Sequence, residues 1–401
     1  MKFKALLESR ANEISEKPFV YFRDQVHTFG DLDLQVNKAA NMLRGRGLQA
    51  DESVTHFLPL VPEAFYVMIA AETAGIINPV NPMLDVEHIF GITRSANTRI
   101  LVIPGRACSQ ELFDKGCEIA AANPDIHTVY VLGGGDECDG EMFLPLEASI
   151  AEQDGAQNIG GAGGSLDDTV AYFHTGGTTG VPKLAQHSQR MRVTQTISTG
   201  MMMDYDEDDC VVLGLPMFHV AGSIILGLTP LFRGSRLLLL SPDGFRDKVA
   251  LQAFWKIIDQ QQVSSLMAVP TVLSALLNVP VGDADLSSLG TFITGGSAVP
   301  TELMKAMSEH TGIEVGQGFG MTEIGGMGLI QMQPRAQVRG SAGIRGPYIQ
   351  VKIGIQNADG SVTGEAPANQ IGVLCFKGPC VMPGYAEGRA QEETFSDDGW
   401  L

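Results

Sequence analysis

The feature that most limits how this chain can fold is a regular alternation of short apolar runs with helix-like runs. Residues 54–58 precede an apolar helical run at 62–74, and residues 100–103 and 127–132 repeat the pattern. Further strand-like runs follow at residues 169–173, 211–215, 236–240, 265–269, 291–294 and 314–316. Short apolar strands separated by helices are typical of parallel or mixed sheets that are covered on both faces. The sequence therefore predicts an α/β fold.

Composition along the chain predicts its subdivision. Residues 19–29 are typical of a β-hairpin, and residues 31–44 carry an apolar stripe at helical spacing. Residues 155–167 are rich in Gly, Asp and Asn and predict a flexible connection, whereas the texture after residue 340 is β-rich with turn residues. We predict a first α/β subdomain at 1–167, a second that carries a glycine-rich loop at 168–339, and a β-rich subdomain at 340–401.

Charge and composition exclude several classes of protein. The 401 residues carry 27 Lys and Arg against 46 Asp and Glu, a formal charge of −19, which disfavours binding to nucleic acid or to an anionic membrane. The six cysteines show no zinc spacing, and the N-terminus has no signal-peptide pattern. The uncharged run at 210–232 is long enough to cross a bilayer, but Pro216, His219 and Pro230 favour a buried strand and helix instead. These features predict a cytoplasmic protein without integral membrane association.

The stretch from residue 171 to residue 188 carries the most specific chemistry. An apolar strand leads into a loop of small and hydroxyl residues that ends in a lysine: Thr175, Gly176, Gly177, Thr178, Thr179, Gly180 and Lys183. Glycines let the backbone approach a ligand, while hydroxyls, N–H groups and a lysine suit phosphate oxygens. A Walker A motif would need Ser or Thr after the lysine, where Leu184 stands. The loop therefore predicts a polyphosphate site of another kind.

A second cluster follows the apolar run at 313–315. It consists of Gln317, Gly318, Phe319, Gly320, Met321, Thr322 and Glu323. The aromatic ring could lie against a flat base, and the carboxylate of Glu323 could hold Mg²⁺. Alone, this cluster would be interpreted as a strand-end turn with a solvated glutamate. Beside the first loop it predicts a second part of a nucleotide site.

Four motifs in this chain resemble those of one known superfamily and stand in the same order. They lie at residues 175–183, 215–219, 294–298 and 318–323. Together they resemble the adenylate-forming superfamily of acyl-CoA synthetases, luciferases and peptide-synthetase adenylation domains, from about Thr28 to Leu401. The resemblance implies the large N-terminal domain of that fold, with two helix-covered, mostly parallel sheets and a smaller β-rich subdomain.

The resemblance also implies an activity and a set of residue roles. Members couple a carboxylate to ATP, giving acyl-AMP and pyrophosphate, and then pass the acyl group to a thiol such as coenzyme A. By resemblance, residues 175–183 hold the β- and γ-phosphates, Thr322 contacts the α-phosphate, and Glu323 is a Mg²⁺ ligand. His219 would gate the acyl pocket without transferring a proton. The adenine would lie between Gly295, Gly296 and Ser297 on one side and Gly318 and Phe319 on the other. The neighbouring residues Gln317, Gly320 and Met321 are also expected to contact the nucleotide.

The sequence predicts the substrate and partners only by chemical class. The apolar residues at 220–228 are compatible with a hydrophobic carboxylic acid, either fatty or aromatic. The resemblance makes a small-molecule acid, ATP and CoA the expected ligands and is compatible with a homodimer. An adenylation domain that loads a carrier protein, or a nucleotide- or acyl-binding module without catalysis, remain alternatives. Adenylation of nucleic-acid ends is disfavoured by the charge of −19.

The chain departs from the superfamily pattern at several positions. Gly176 stands where Ser is usual, Leu184 where Gly is usual, and His174 where Tyr is common. The change at residue 176 costs one hydroxyl, but backbone N–H groups can still serve phosphate, so we expect altered affinity rather than lost function. Residues 398–400 resemble a segment that leads in the superfamily to a Thr-Gly-Asp motif and to a small domain with a catalytic lysine, and the sequence stops at Leu401 before both. We therefore expect this chain alone to adenylate slowly.

Overall fold

Alternating helices and strands build three sheets in this protein. The structure is a computed structural model that describes residues 2–135, 138–156, 164–175, 182–331, 338, 340–358, 360–386 and 394–401. Nineteen strands lie in these ranges: β1 (Pro18–Phe22), β2 (Gln25–Thr28), β3 (Ser53–His56), β4 (Ile76–Pro79), β5 (Thr98–Pro104), β6 (Thr128–Leu132), β7 (Phe143–Pro145), β8 (Thr169–His174), β9 (Leu184–Ser188), β10 (Cys210–Leu213), β11 (Arg236–Leu239), β12 (Ser265–Ala268), β13 (Thr291–Thr294), β14 (Gly316–Met321), β15 (Gly326–Ile330), β16 (Ile344–Arg345), β17 (Gln350–Gln356), β18 (Val362–Thr363) and β19 (Val373–Lys377).

Helices fill most of the connections between these strands. The α-helices in the described ranges are α1 (Phe3–Ile14), α2 (Phe29–Gly45), α3 (Pro62–Ala74), α4 (Val86–Ser95), α5 (Gln110–Ala122), α6 (Leu146–Ala151), α7 (Gln189–Met202), α8 (Thr229–Arg233), α9 (Lys248–Gln252), α10 (Phe254–Gln261), α11 (Pro270–Leu276) and α12 (Thr301–Thr311). A π-helix spans Ala221–Leu228, and 3₁₀ turns lie at Gly244–Arg246 and Thr322–Ile324.

Two of the three sheets are large and mostly parallel. The seven-stranded sheet has the order β7-β6-β5-β3-β4-β8-β9, and only its edge pair β8–β9 is antiparallel. The nine-stranded sheet has the order β16-β15-β14-β13-β12-β10-β11-β1-β2, with a parallel centre and antiparallel pairs at both edges. A small antiparallel sheet, β18-β17-β19, follows. The predicted α/β fold and its smaller β-rich part are therefore confirmed.

Sheet membership does not follow the chain in simple blocks. The N-terminal hairpin β1–β2 is at one edge of the nine-stranded sheet, whereas β8 and β9 complete the seven-stranded sheet. The predicted division between residues 167 and 168 thus does not coincide with the division between the sheets, and the subdomain limits stay a prediction. The reason is that β8 pairs with β4 through Ile77 and Ala171, across almost a hundred residues of sequence.

Local sequence explains where several of these elements begin. Helix α2 starts at a capping box, in which the Thr28 hydroxyl accepts the Asp31 N–H and the Asp31 carboxylate accepts the Thr28 N–H. The predicted strand at 314–316 was placed too early: β14 begins at Gly316 and continues to Met321. Residues 317–321 of the second cluster are therefore part of a strand that pairs with both β13 and β15, whereas Thr322 and Glu323 lie in the 3₁₀ turn after it.

Most of the uncharged run at 210–232 is buried in the nine-stranded half of the molecule. Its residues form β10, the π-helix at Ala221–Leu228 and α8, and the π-helix is buried along its whole length. The expectation of a buried strand and helix is confirmed. Within the described ranges, no helix is long and apolar enough to cross a membrane.

Candidate functional site

The glycine-rich loop connects β8 to β9 at the edge of the seven-stranded sheet. At its base, the Thr175 N–H donates to the Lys183 carbonyl at 2.9 Å, which closes the hairpin. This bond places the two ends of the predicted phosphate loop side by side. The remaining predicted loop residues lie outside the described residues, so their roles stay predictions: Gly176, Gly177, Thr178, Thr179 and Gly180.

Lys183 and Glu323 both contact the side chain of Tyr385. The Lys183 Nζ lies 5.2 Å from the centroid of the Tyr385 ring. The Tyr385 hydroxyl donates to Glu323 Oε1 at 2.8 Å. Burial, and then the neighbouring Glu323, raise the pKa of Tyr385 well above its usual range, so the phenol keeps its proton. The structure thus brings together two residues that the sequence predicts to act on phosphates and metal.

A short segment at residues 382–386 makes this contact possible. The Gln186 N–H donates to the Gly384 carbonyl at 3.0 Å, and the Ala386 N–H donates to the Leu184 carbonyl at 2.9 Å. At the other end of the segment, the Met382 N–H donates to the Glu323 carbonyl at 2.8 Å. The segment therefore links β9 to the turn that carries Glu323 through backbone hydrogen bonds. This segment was not identified from the sequence. Its one distinctive feature, an aromatic residue after a glycine in Pro383-Gly384-Tyr385, is too common to indicate a site.

Thr322 is held by a second bridge between the large sheets. The His187 Nε2 donates to the Thr322 carbonyl at 2.8 Å, and the His187 ring packs against Phe173 at 4.8 Å between centroids. Burial, with a smaller effect of the Arg192 charge, lowers the pKa of His187 to about 3. The imidazole is therefore neutral at pH 7, with its proton on the nitrogen that faces Thr322.

A buried ion pair lies beneath this bridge. Arg192 on α7 donates from a terminal nitrogen to Glu72 Oε1 on α3, and both side chains are at most 1% exposed. Arg192 also lies over the Phe173 ring, at 5.5 Å from its centroid. This buried pair links α7, which follows the loop hairpin, to α3, which connects β3 to β4.

On the nine-stranded sheet, the site is built from close backbone approaches. A Cβ atom on Gly295 would lie 2.4 Å from the Gly318 carbonyl oxygen, and one on Gly320 would lie 2.2 Å from the Gly326 carbonyl oxygen. Gly296 has φ +85°, a conformation that favours glycine. Gly295 is buried, whereas Gly296 and Ser297 are exposed beside it. These glycines leave a surface of backbone without side chains, which a flat base could approach.

The aromatic residue of the second cluster already has a partner. The Phe319 ring stacks on Phe376 of β19, with centroids 5.9 Å apart and planes 3° from parallel. A base could therefore use only the other face of Phe319. Gln317 is fixed through its backbone, because its N–H donates to the Gln331 side chain at 3.2 Å and its carbonyl accepts the Gln331 N–H at 2.9 Å.

An apolar cavity opens where the two large sheets meet. Its volume is about 380 Å³, and its walls come from the loops that follow β3, β4, β10, β11 and β12: residues 57–60, 81–83, 214–218 and 242–246, with Val269 and Val272. All of these strands are parallel within their sheets, so the cavity lies at their carboxyl ends, where α/β proteins bind ligands. Most of the run at 220–228, which the sequence makes compatible with a hydrophobic acid, forms the buried π-helix at Ala221–Leu228, and its relation to the acid stays a prediction.

Histidine residues border this cavity. The Asn81 N–H donates to His174 Nε2 at 3.1 Å, and the His174 ring stacks on Phe218 at 6.1 Å. Burial, with a smaller effect of His219, lowers the pKa of His174 to about 4. His219 is exposed and lies two residues before the π-helix, and its Nδ1 accepts the Ala221 N–H at 3.2 Å. His219 follows the cavity wall without lining it, and its gating role stays a prediction.

The donor set fits Mg²⁺ only if the nucleotide brings most of the ligands. Among the residues that the structure describes, no group of three His, Cys, Asp or Glu side chains could hold a metal ion. Glu323 contributes one carboxylate, whose Oε2 has no hydrogen-bond partner in the described part of the chain. Mg²⁺ usually binds one or two carboxylates together with substrate phosphates and water, so this single carboxylate suits it.

Known proteins resemble the chain across almost its entire length. The family model described as AMP-binding enzyme matches residues 7–386. Marinolic acid–CoA ligase of Pseudoalteromonas sp. (strain SANK 73390) is 33% identical over 90% of this chain, which spans 56% of that protein's length. 4-Coumarate–CoA ligase 2 of Nicotiana tabacum is 26% identical over 97% of this chain and 70% of its own length.

Solved structures share the same fold. An anthranilate CoA ligase in complex with anthranoyl-AMP matches with a TM-score of 0.87 at 20% identity, over 100% of this chain and 73% of its own. The N-terminal domain of FACL13 from Mycobacterium tuberculosis matches with a TM-score of 0.84 at 22% identity, over 100% of this chain and 95% of its own. The family model and the bacterial relative confirm the superfamily predicted from the four motifs. The chain belongs to the AMP-binding enzyme family.

Proposed function

We propose that this chain binds ATP with Mg²⁺ and a carboxylic acid, and joins them into an acyl-adenylate with release of pyrophosphate. The observation that carries the proposal is the placement of Lys183 and Glu323 on either side of Tyr385, where the two large sheets meet. A cation suited to phosphate and a carboxylate suited to a metal ion therefore contact the same tyrosine side chain. A metal-bound polyphosphate is a ligand that uses both.

The chemistry explains why both charges are required. A carboxylate oxygen of the acid attacks the α-phosphorus, the bond from that phosphorus to the bridging oxygen breaks, and pyrophosphate leaves with the electron pair. Acid and triphosphate repel each other, so the site must supply positive charge and orientation. Lys183 would neutralise phosphate oxygens, and the Thr322 hydroxyl would donate to the α-phosphate. Mg²⁺, when bound at Glu323, would neutralise further phosphate charge.

The apolar cavity supports a hydrophobic substrate. Phe57, Leu215 and Met217 line it, and Phe218 connects it through His174 to the first residue of the phosphate loop. An apolar chain of a fatty or aromatic acid could lie there while its carboxylate points toward the loop. The pantetheine arm of CoA has a similar shape, and the test below separates the two assignments.

The second step of the proposed reaction is transfer of the acyl group to the thiol of CoA. In this step the sulfur attacks the acyl carbonyl carbon, and AMP leaves. The names of the relatives support this acceptor, because those from Pseudoalteromonas and Nicotiana are both CoA ligases, as is the sulfoacetate–CoA ligase of Cupriavidus necator, 25% identical over 99% of this chain.

ATP–pyrophosphate exchange tests the proposal directly. We expect exchange that depends on one acid from a panel of fatty and aromatic acids, and that falls at least a hundredfold in Lys183→Met. Tyr205→Phe is a matched control, since it removes a buried hydroxyl bond to Ser265 at 2.9 Å elsewhere in the fold. Binding of ATP without exchange for any acid would leave a non-catalytic module. Absence of ATP binding would overturn the proposal.

A cavity variant assigns the apolar space. Val272→Trp would fill part of the cavity behind β12. If the acid lies there, the KM for the acid in pyrophosphate exchange rises and long or bulky acids are rejected first. If the acceptor lies there, exchange is unchanged and only the KM for CoA in thioester formation rises.

A further inference from the structure

Tyr385 touches both charged residues of the proposed site, although neither its residue type nor its position suggests a role. We propose that Tyr385 is a positioning residue that keeps Lys183 and Glu323 apart and leaves one oxygen of Glu323 available for the metal ion of a bound nucleotide. This inference rests on the proposed function and adds to it a residue that acts through the two charges.

The ring of Tyr385 prevents the two charges from neutralising each other. Lys183 Nζ lies against the ring, 5.2 Å from its centroid, whereas Glu323 is bound at the hydroxyl end. An ion pair between these two side chains would have to break before either group could bind phosphate or metal. With the ring between them, Lys183 keeps its charge for an anion and Glu323 keeps its charge for a cation.

The hydroxyl of Tyr385 also orients the carboxylate. It is a neutral donor, so its bond to Oε1 fixes the carboxyl plane without cancelling the charge. Oε2 is then the oxygen without a hydrogen-bond partner in the described ranges. A metal ion that needs one protein oxygen therefore meets a carboxylate whose geometry is already set.

Burial and backbone contacts hold Tyr385 in place. The residue is 8% exposed, and it forms an antiparallel bridge with Ala185 of β9. Met382, in the same segment, is bonded through its N–H to the Glu323 carbonyl. The backbone of the segment thus contacts the strand that follows Lys183 and the turn that carries Glu323. Loss of the Tyr385 hydroxyl alone would leave all of these backbone bonds in place.

The test is calorimetric titration of ATP into the protein at a series of Mg²⁺ concentrations. In Tyr385→Phe the ring stays between the charges and only the hydroxyl is lost. We expect the Mg²⁺ concentration for half-maximal ATP binding to rise about tenfold, as for loss of one hydrogen bond to a charged group. ATP affinity at saturating Mg²⁺ should change less than threefold. Tyr385→Leu removes the ring as well, so Lys183 and Glu323 can pair, and ATP affinity should fall even at saturating Mg²⁺.

Tyr205→Phe is the control for a buried hydroxyl, and it should lower the melting temperature without changing the Mg²⁺ dependence. A Tyr385→Phe protein with wild-type Mg²⁺ dependence, beside a wild-type protein that binds ATP, would overturn this inference and leave the proposed function intact. A wild-type protein that binds no ATP would overturn both. If Tyr385→Leu does not fold, the comparison of Tyr385→Phe with Tyr205→Phe still decides.

Discussion

The two strand pairs that meet at the candidate site contribute different chemistry. The hairpin β8–β9 supplies charged and polar side chains, and its partners are distant in sequence: Tyr385 for Lys183, and Thr322 for His187. The parallel pair β13–β14 supplies backbone, brought close by Gly295 and Gly318. The first half depends on contacts between sheets, whereas the second depends on the absence of side chains. Single substitutions in the two halves should therefore have different effects on stability and on ligand binding.

The largest effect on stability is expected beneath the hairpin. Arg192→Met would leave the Glu72 carboxylate buried without its partner, which costs about 3–5 kcal/mol in the free energy of unfolding. Chemical denaturation measures this loss. Arg190→Met is the matched control on the same helix, because Arg190 pairs with Asp167 at 2.7 Å in an exposed ion pair. That variant should lose at most about 1 kcal/mol. Equal losses in the two variants would contradict the buried-pair account.

The next effect is expected in the backbone half. Gly295→Ala puts a Cβ atom 2.4 Å from the Gly318 carbonyl oxygen, so β13 and β14 must separate. We expect a loss of about 1–3 kcal/mol in the free energy of unfolding and weaker binding of ATP. Gly290→Ala, just before β13, meets nothing within 4 Å and should change neither quantity. ATP affinity unchanged in Gly295→Ala would show that the close approach does not shape the site.

The third effect is a pH dependence that belongs to His187. Its pKa in the folded state is about 3, below the 6.5 of an exposed histidine, so the unfolded chain binds the proton first as the pH falls. Wild-type stability should therefore drop between pH 7 and pH 5 by about 2 kcal/mol through this residue. His187→Gln keeps a donor toward Thr322 and cannot titrate. Urea unfolding at both pH values should show a smaller drop in the variant, and an equal drop would refute the assignment.

Local patterns mark the residues of one half of the candidate site, whose roles stay predictions. The glycines of residues 295 and 318, the hydroxyl of Thr322 and the carboxylate of Glu323 are all recognisable from short motifs. They are recognisable because backbone approach and phosphate contact require particular residue types at fixed spacing. The same motifs misled on one detail, since residues 317–321 form a strand rather than a turn after one.

The contacts of Tyr385 and His187, in contrast, are encoded by no local pattern. Tyr385 lies 62 residues from Glu323, and His187 lies 135 residues from Thr322. A tyrosine after a glycine, or a histidine in a strand, is typical of many cores and turns. Only the pairing of residues 384–386 with β9, and the meeting of the two large sheets, give these side chains their partners. The parallel crossovers of the fold create such contacts, and periodicity within one element cannot reveal them.

The central claim is that Lys183 and Glu323 act on the same metal-bound nucleotide, Lys183 on its phosphates and Glu323 on its metal ion. Calorimetric titration of ATP with Mg²⁺ into the wild-type chain, Lys183→Met and Glu323→Gln tests it most directly. The account predicts saturable binding of one ATP by the wild type, at least tenfold weaker binding by each variant, and loss of Mg²⁺ dependence in Glu323→Gln. Binding of equal strength in all three proteins, or no binding by the wild type, would contradict it.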